Sequence, residues 1–168
     1  TLIGGLAGDA LTDADFNIAV GTSALTSDTL GSKTVAIGEA ALTTQNFTTA
    51  TDTYNVAVGH NAGLAVSTGV RNTLIGGLAG DAITTGTGIT AVGKDSAGAL
   101  TTGGDNVAIG YQALKTATTG TGNVAVGKDA LEANTTASNN TAVGFKALEA
   151  NTTGGANTAV GQSALDSN

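Results

Sequence analysis

Asn123-Val124-Ala125-Val126-Gly127-Lys128-Asp129-Ala130-Leu131 returns 17 residues later as Asn140-Thr141-Ala142-Val143-Gly144-Phe145-Lys146-Ala147-Leu148. The shared frame is Asn, a β-branched residue, Ala, Val, Gly, two variable residues, Ala and Leu. Working outward, the same frame fixes motif glycines at Gly4, Gly21, Gly38, Gly59, Gly76, Gly93, Gly110, Gly127, Gly144 and Gly161. Eight of the nine gaps are 17 residues, and the ninth, between Gly38 and Gly59, carries a four-residue insertion. Such a fixed period marks a repeat array rather than a conventional domain. Residues 1–168 read as a single array of ten units. It starts and stops inside a repeat, so it is expected to be a segment of a longer fibre. The stretch TLIGGLAGDA occurs twice, at Thr1–Ala10 and at Thr73–Ala82.

Each aligned position has a physical role. The residue before the glycine is Val or Ile in every unit: Ile3, Val20, Ile37, Val58, Ile75, Val92, Ile109, Val126, Val143 and Val160. Two places earlier stands another β-branched residue, with Ala between them in eight units and Leu2 or Leu74 in two. That alternation predicts a short strand. The Val/Ile residues are expected to point inward as the repeat core. The small-residue face (Ala19, Ala36, Ala57, Ala91, Ala108, Ala125, Ala142 and Ala159) could pack against the opposite wall of the coil, but the thin core of each coil favours packing against partner chains about a common axis. Ahead of the strand, Asn17, Asn55, Asn72, Asn106, Asn123, Asn140 and Asn157 recur, a pattern that predicts turn-forming side chains that bond their own backbone or the Asn of the next coil as a ladder. After the glycine, an Ala and often a Leu form a second apolar segment. A Thr/Gly/Asn-rich return then closes the unit. A 17-residue unit cannot bury its own apolar face, but stacked neighbours can.

Composition narrows the function. Ala, Thr, Gly and Asn supply 99 of the 168 residues, and Cys, Met, Pro and Trp are absent. Apolar residues at 40% in strict order exclude a disordered Gly/Thr-rich chain. Net charge is −7 with six Lys+Arg, too few cations to neutralise a nucleic-acid backbone or seek an anionic membrane. No apolar run approaches a membrane span.

These Asn-Thr-Ala-Val-Gly units resemble the head repeats of trimeric autotransporter adhesins and similar repeats in phage tail fibres, over the whole chain. The adhesin repeats are shorter, near 14 residues. The resemblance implies a left-handed parallel β-roll, three chains about one axis and a role in attachment. The expected fold is therefore all-β: a parallel β-roll or β-solenoid of ten 17-residue coils, left-handed and homotrimeric.

Candidate chemistry is sparse. His60, the one histidine, sits beside a motif glycine where other units carry Lys94, Tyr111, Lys128, Phe145 or Gln162, a pattern that reads as a surface position. Acids recur five places after the glycine at Asp9, Asp81, Glu132, Glu149 and Asp166 and read as a solvated face rather than as a calcium or catalytic site. The expectation is no catalytic, cofactor or metal residue. Sequons at Asn46, Asn134, Asn139 and Asn151 are glycosylation candidates. The insertion is expected to bulge from the rod as a loop around Asn46–Thr53, whose Phe47 forms an aromatic contact patch with the adjoining Tyr54. Thr pairs such as Thr84-Thr85, Thr101-Thr102, Thr135-Thr136 and Thr152-Thr153 read as irregular, which counts against ice binding.

The expected function is a non-enzymatic structural or adhesive fibre segment, extracellular, on a cell surface or on a virion. Its partners are other copies of itself and a cell-surface or glycan receptor. A carbohydrate- or ice-binding solenoid and a tail-spike glycan hydrolase are the alternatives.

Overall fold

The computed structural model describes residues 1–167 and is all-β, with no helix among them. Twelve short strands follow in order: β1 (Leu2–Ile3), β2 (Ile18–Val20), β3 (Gly31–Ser32), β4 (Val35–Ile37), β5 (Thr51–Asp52), β6 (Val56–Val58), β7 (Thr73–Ile75), β8 (Thr90–Val92), β9 (Val107–Ile109), β10 (Val124–Val126), β11 (Thr141–Val143) and β12 (Thr158–Val160). Ten of them form one sheet in the order β1-β2-β4-β6-β7-β8-β9-β10-β11-β12. Every pairing is parallel, and each residue lies opposite its repeat equivalent, as in Val126↔Val143 and Ala125↔Ala142. The chain is thus a parallel β-solenoid whose coils rise by one strand spacing, about 4.8 Å.

Each coil turns sharply after its motif glycine. In the Gly93 unit the glycine has φ +132°, and a Cβ there would stand 2.5 Å from the Gly110 carbonyl oxygen in the next coil. No side chain fits between coils that close. The residues two and four places on are also left-handed: Asp129 has φ 58° and Leu131 φ 52° in the Gly127 unit, Lys146 φ 57° and Leu148 φ 51° in the next. Left-handed backbone is costly for a residue with a Cβ. It persists because each corner is held twice, by burial and by bonds from coil to coil. Leu131 N–H donates to Ala147 O at 3.0 Å and Leu148 N–H to Ala164 O at 2.9 Å. The left-handed residue also lets two neighbours, Ala130 and Leu131, both point inward, which an extended strand cannot do.

The core corrects the expected facing of the strand. Ala19, Ala36, Ala57, Ala91, Ala108, Ala125 and Ala142 are fully buried inside the coil, facing a wall made of Leu25, Leu42, Leu114, Leu131 and Leu148. The expected core residues Val20, Ile37, Val58, Ile75, Val92, Ile109, Val126, Val143 and Val160 lie instead on the outer face, half-buried to exposed. The coil is too slender for two large side chains across its width. Small residues therefore go in and branched ones go out. The alanines face the chain's own far wall, so they are not the surface offered to a partner.

Sequence reading missed a further inner column, seven places after each glycine: Asp28, Gln45, Val66, Ile83, Leu100, Ala117, Asn134 and Asn151 are all buried. Its residues share no chemical type, so no sequence signal marks it.

The insertion lies between Gln45 and Asn55. Gln45 Oε1 accepts from Asn55 Nδ2 at 2.8 Å, and Gln45 Nε2 donates to the buried Asp28 carboxylate at 2.6 Å. This clamp closes the base of the excursion, and β5 pairs with β3 as it returns. Phe47 does not bulge out: it is 7% exposed, and its N–H donates to Asp28 Oδ1 at 3.0 Å. Of the expected aromatic patch only Tyr54 is on the surface.

Candidate functional site

The ten strands of the large sheet present two outward columns of side chains. One is the Val/Ile column, Ile3 to Val160. The other, two residues earlier, runs Ile18, Val35, Val56, Thr73, Thr90, Val107, Val124, Thr141 and Thr158. Neither column contains a charged residue. Ten strands at about 4.8 Å and a stripe roughly 10 Å wide make a face near 480 Å², within the range of the largest patch on a monomer's surface, which is often functional. Ile18, Ile37, Ile75 and Ile109 each leave more than a third of their surface to solvent. Identical register stacks each repeat position on its equivalent, so the Val/Ile column is continuous along the rod while the second column mixes Val or Ile with Thr, as in Val56↔Thr73 and Val124↔Thr141.

Its borders are polar. Beyond the motif glycines runs a column that includes Glu39, His60, Lys94, Tyr111, Lys128 and Phe145. Lys128 Nζ lies 5.8 Å from the Tyr111 ring centre and 5.5 Å from that of Phe145, within cation–π range. His60 is exposed as expected, with Nε2 3.6 Å from Glu39 Oε2. On the other border Lys33 pairs with Asp52 at 2.5 Å and covers the Tyr54 ring.

The Asn ladder forms with one refinement. Its side chains bond mainly to backbone, spanning one coil to the next. Asn106 Nδ2 donates to Gly120 O at 2.8 Å, and Asn106 Oδ1 accepts from Asn123 N–H at 2.9 Å. Asn55, Asn72, Asn123 and Asn140 repeat that scheme. Asn17 does the same with Gly31 O and Thr34 N–H, and Asn157 N–H takes its place at the end of the ladder by donating to Asn140 Oδ1. Side-chain to side-chain contact occurs between Asn123 and Asn106, at 3.2 Å.

Two of the four sequons are corrected. Asn134 and Asn151 are buried, and their Nδ2 groups donate inward, to Ala137 O at 3.1 Å and to Gly154 O at 3.0 Å. A glycan needs that nitrogen in solvent. Asn46 and Asn139 are exposed.

The threonines correct the expected irregularity. Ser67, Thr84, Thr101, Thr118, Thr135 and Thr152 occupy one column. The first five donate their hydroxyls to the carbonyl one coil on, for example Thr101 Oγ1 to Thr118 O at 3.0 Å. Beside them Thr68, Thr85, Thr102, Thr119, Thr136 and Thr153 form an exposed column over six consecutive coils.

At the first coil a hollow opens between Leu2, Leu11, Asp15, Phe16 and their neighbours. No helix among the described residues is long and apolar enough to cross a membrane. These surfaces define the molecule as a parallel β-solenoid whose sites are columns rather than pockets. No family model, curated protein or solved structure matches the chain.

Proposed function

We propose that the chain is a non-catalytic structural segment of an extracellular, cell-surface or virion fibre. It is a stiff rod whose copies associate through the outward β-branched face. The observation that carries this reading is the uncharged Val/Ile/Thr face running over ten strands. A solvated sheet face normally carries charged or polar residues. An uncharged, β-branched stripe along a rod suits a straight, continuous contact with other copies. Three chains about one axis is the arrangement that the resemblance to adhesin heads implies. The exposed columns on the remaining flanks are then free for a receptor or glycan.

The test is sedimentation equilibrium on the purified chain and on the double variant Ile109→Asp/Val126→Asp. The expected result is a mass three times the 16.0 kDa chain for the parent and a single-chain mass for the variant, both with the same β-rich circular dichroism. A parent that sediments as a folded single chain overturns the assembly.

A second reading has one observation in its favour, the exposed threonine column. Evenly spaced hydroxyls and methyls on a stiff face suit an ordered ligand such as a glycan or an ice lattice. Thermal hysteresis in the parent, lost in Thr102→Lys/Thr119→Lys, supports the ice-binding form. No hysteresis excludes it.

A further inference from the structure

Three carboxylates meet on the flank of the eighth and ninth coils. Asp129 stands two residues after Gly127, Glu132 five after it, and Glu149 five after Gly144. One oxygen from each lies within 4.8 Å of the other two. Asp129 is 6% exposed, and its Oδ1 is buried with no hydrogen-bond partner. That oxygen stands out, because a buried carboxylate oxygen ordinarily has a donor and is costly without one. The neighbouring lysines leave it unserved: Lys128 Nζ is 3.4 Å from Asp129 Oδ2, Lys115 Nζ is 4.0 Å from Glu132 Oε1, and Lys146 Nζ is 2.9 Å from Glu149 Oε1.

We propose that Asp129, Glu132 and Glu149 form a binding site for a divalent cation of the size of Ca²⁺. The donors are all carboxylate oxygens, which favours a hard cation. Metal–oxygen distances of about 2.3–2.6 Å let Ca²⁺ bridge oxygens up to roughly 5 Å apart, whereas the shorter bonds of Mg²⁺ draw them closer. Three carboxylates from two coils leave the rest of the coordination sphere to water. The ion ties adjacent coils together and supplies the orphaned Asp129 oxygen with a positive partner.

Lys146 acts as the resident counter-ion. Its ammonium donates to Glu149 Oε1 at 2.9 Å, which sets a positive charge against the carboxylate cluster. Its side chain is about a third exposed, so it can swing into solvent when an ion enters. The cation and Lys146 therefore compete. The acidic pair Asp81 and Asp95 makes a useful contrast: it sits in the matching columns of the fifth and sixth coils without a third carboxylate.

Calorimetric titration of CaCl₂ into the 168-residue chain at constant ionic strength tests the site. The expected result is single-site binding with a Kd of about 10⁻⁴–10⁻³ M, weakened about tenfold or more in Asp129→Asn. Asn tolerates the left-handed backbone at this position, so circular dichroism should not change. Glu132→Gln, on a more exposed carboxylate, carries the same expectation. Lys146→Gln should bind more tightly because the competitor is gone. Absence of binding by the parent at millimolar Ca²⁺, equal binding by Asp129→Asn and Glu132→Gln, or an unchanged affinity in Lys146→Gln would each overturn the assignment.

Discussion

Leu74 fills the space that Gly80 leaves open. A Cβ built on Gly80 would stand 2.5 Å from Ile83 Cδ1 and 2.9 Å from Leu74 Cδ2, and one built on Gly63 would stand 2.7 Å from Leu74 Cδ1. Leu2 bears the same relation to Gly8, at 2.7 Å. The repeated TLIGGLAGDA is therefore one packing solution used twice. A Leu on the strand side is matched by Gly on the turn side, where most other coils pair Ala with Leu; the exceptions are Ala57 with Gly63, whose space Leu74 also fills, and Ala91 with Ala97.

Leu74→Ala is expected to cost about 2–5 kcal/mol through the cavity it leaves, and Gly80→Ala alone about 1–3 kcal/mol through overpacking. Together they rebuild the pattern of the next coil, where Ala91 and Ala97 are both buried. The double variant should then melt above the sum of the two losses, as thermal scans by circular dichroism can measure. Simple additivity would mean that the two sites do not share the volume.

Gly93→Ala and Gly161→Ala separate backbone strain from coil contact. Both glycines have φ near +130°, but a Cβ at Gly161 has nothing closer than Ala164 Cβ at 4.0 Å. Gly161→Ala should cost only the strain, about 1–3 kcal/mol. Gly93→Ala adds a clash with the next coil's backbone and should exceed about 4 kcal/mol. Equal melting temperatures for the two variants would contradict the close approach.

Asn106→Ala removes the partners of Gly120 O and Asn123 N–H, both inside the stack. The expected cost is roughly 1–3 kcal/mol for each orphaned group. Asn46→Ala, on the exposed insertion, should stay within about 0.5 kcal/mol of the parent. Urea unfolding of the two variants side by side distinguishes a buried ladder from a surface one.

Asp81 gives a signed pH dependence. Burial raises its carboxyl pKa above 3.8, opposed by its own and the Ala82 backbone N–H groups and assisted by the nearby Asp95 charge. The folded state thus holds this proton more tightly than the unfolded state does. As pH rises through the interval above 3.8, the group's contribution turns unfavourable, and it stays so at neutral pH. Asp81→Asn should therefore melt above the parent at pH 7, with the difference shrinking as pH falls below about 4. A constant difference across that range would remove the titration from the account.

The sequence alone determined the period, the strand, the glycine corner and the insertion point. Parallel coils in exact repeat register place every residue on its own equivalent, so alignment in sequence is alignment in space. For that reason the Asn ladder at Asn17 to Asn157 could be read directly. Only the tertiary structure decided which face of the strand is the core. Strand alternation separates Val126 from Ala125, but it does not say which of them points inward. In a wide sheet sandwich the branched residue would be buried. Here the far wall, with Leu131 and the column from Asp28 to Asn151, stands so near that Ala is what fits opposite a Leu, and Val126 is turned out. The same closeness buried Phe47, Asn134 and Asn151 against sequence expectation. It also brought Asp129 beside Glu132 and Glu149, a contact that depends on the left-handed corner and that spacing from the glycine did not reveal.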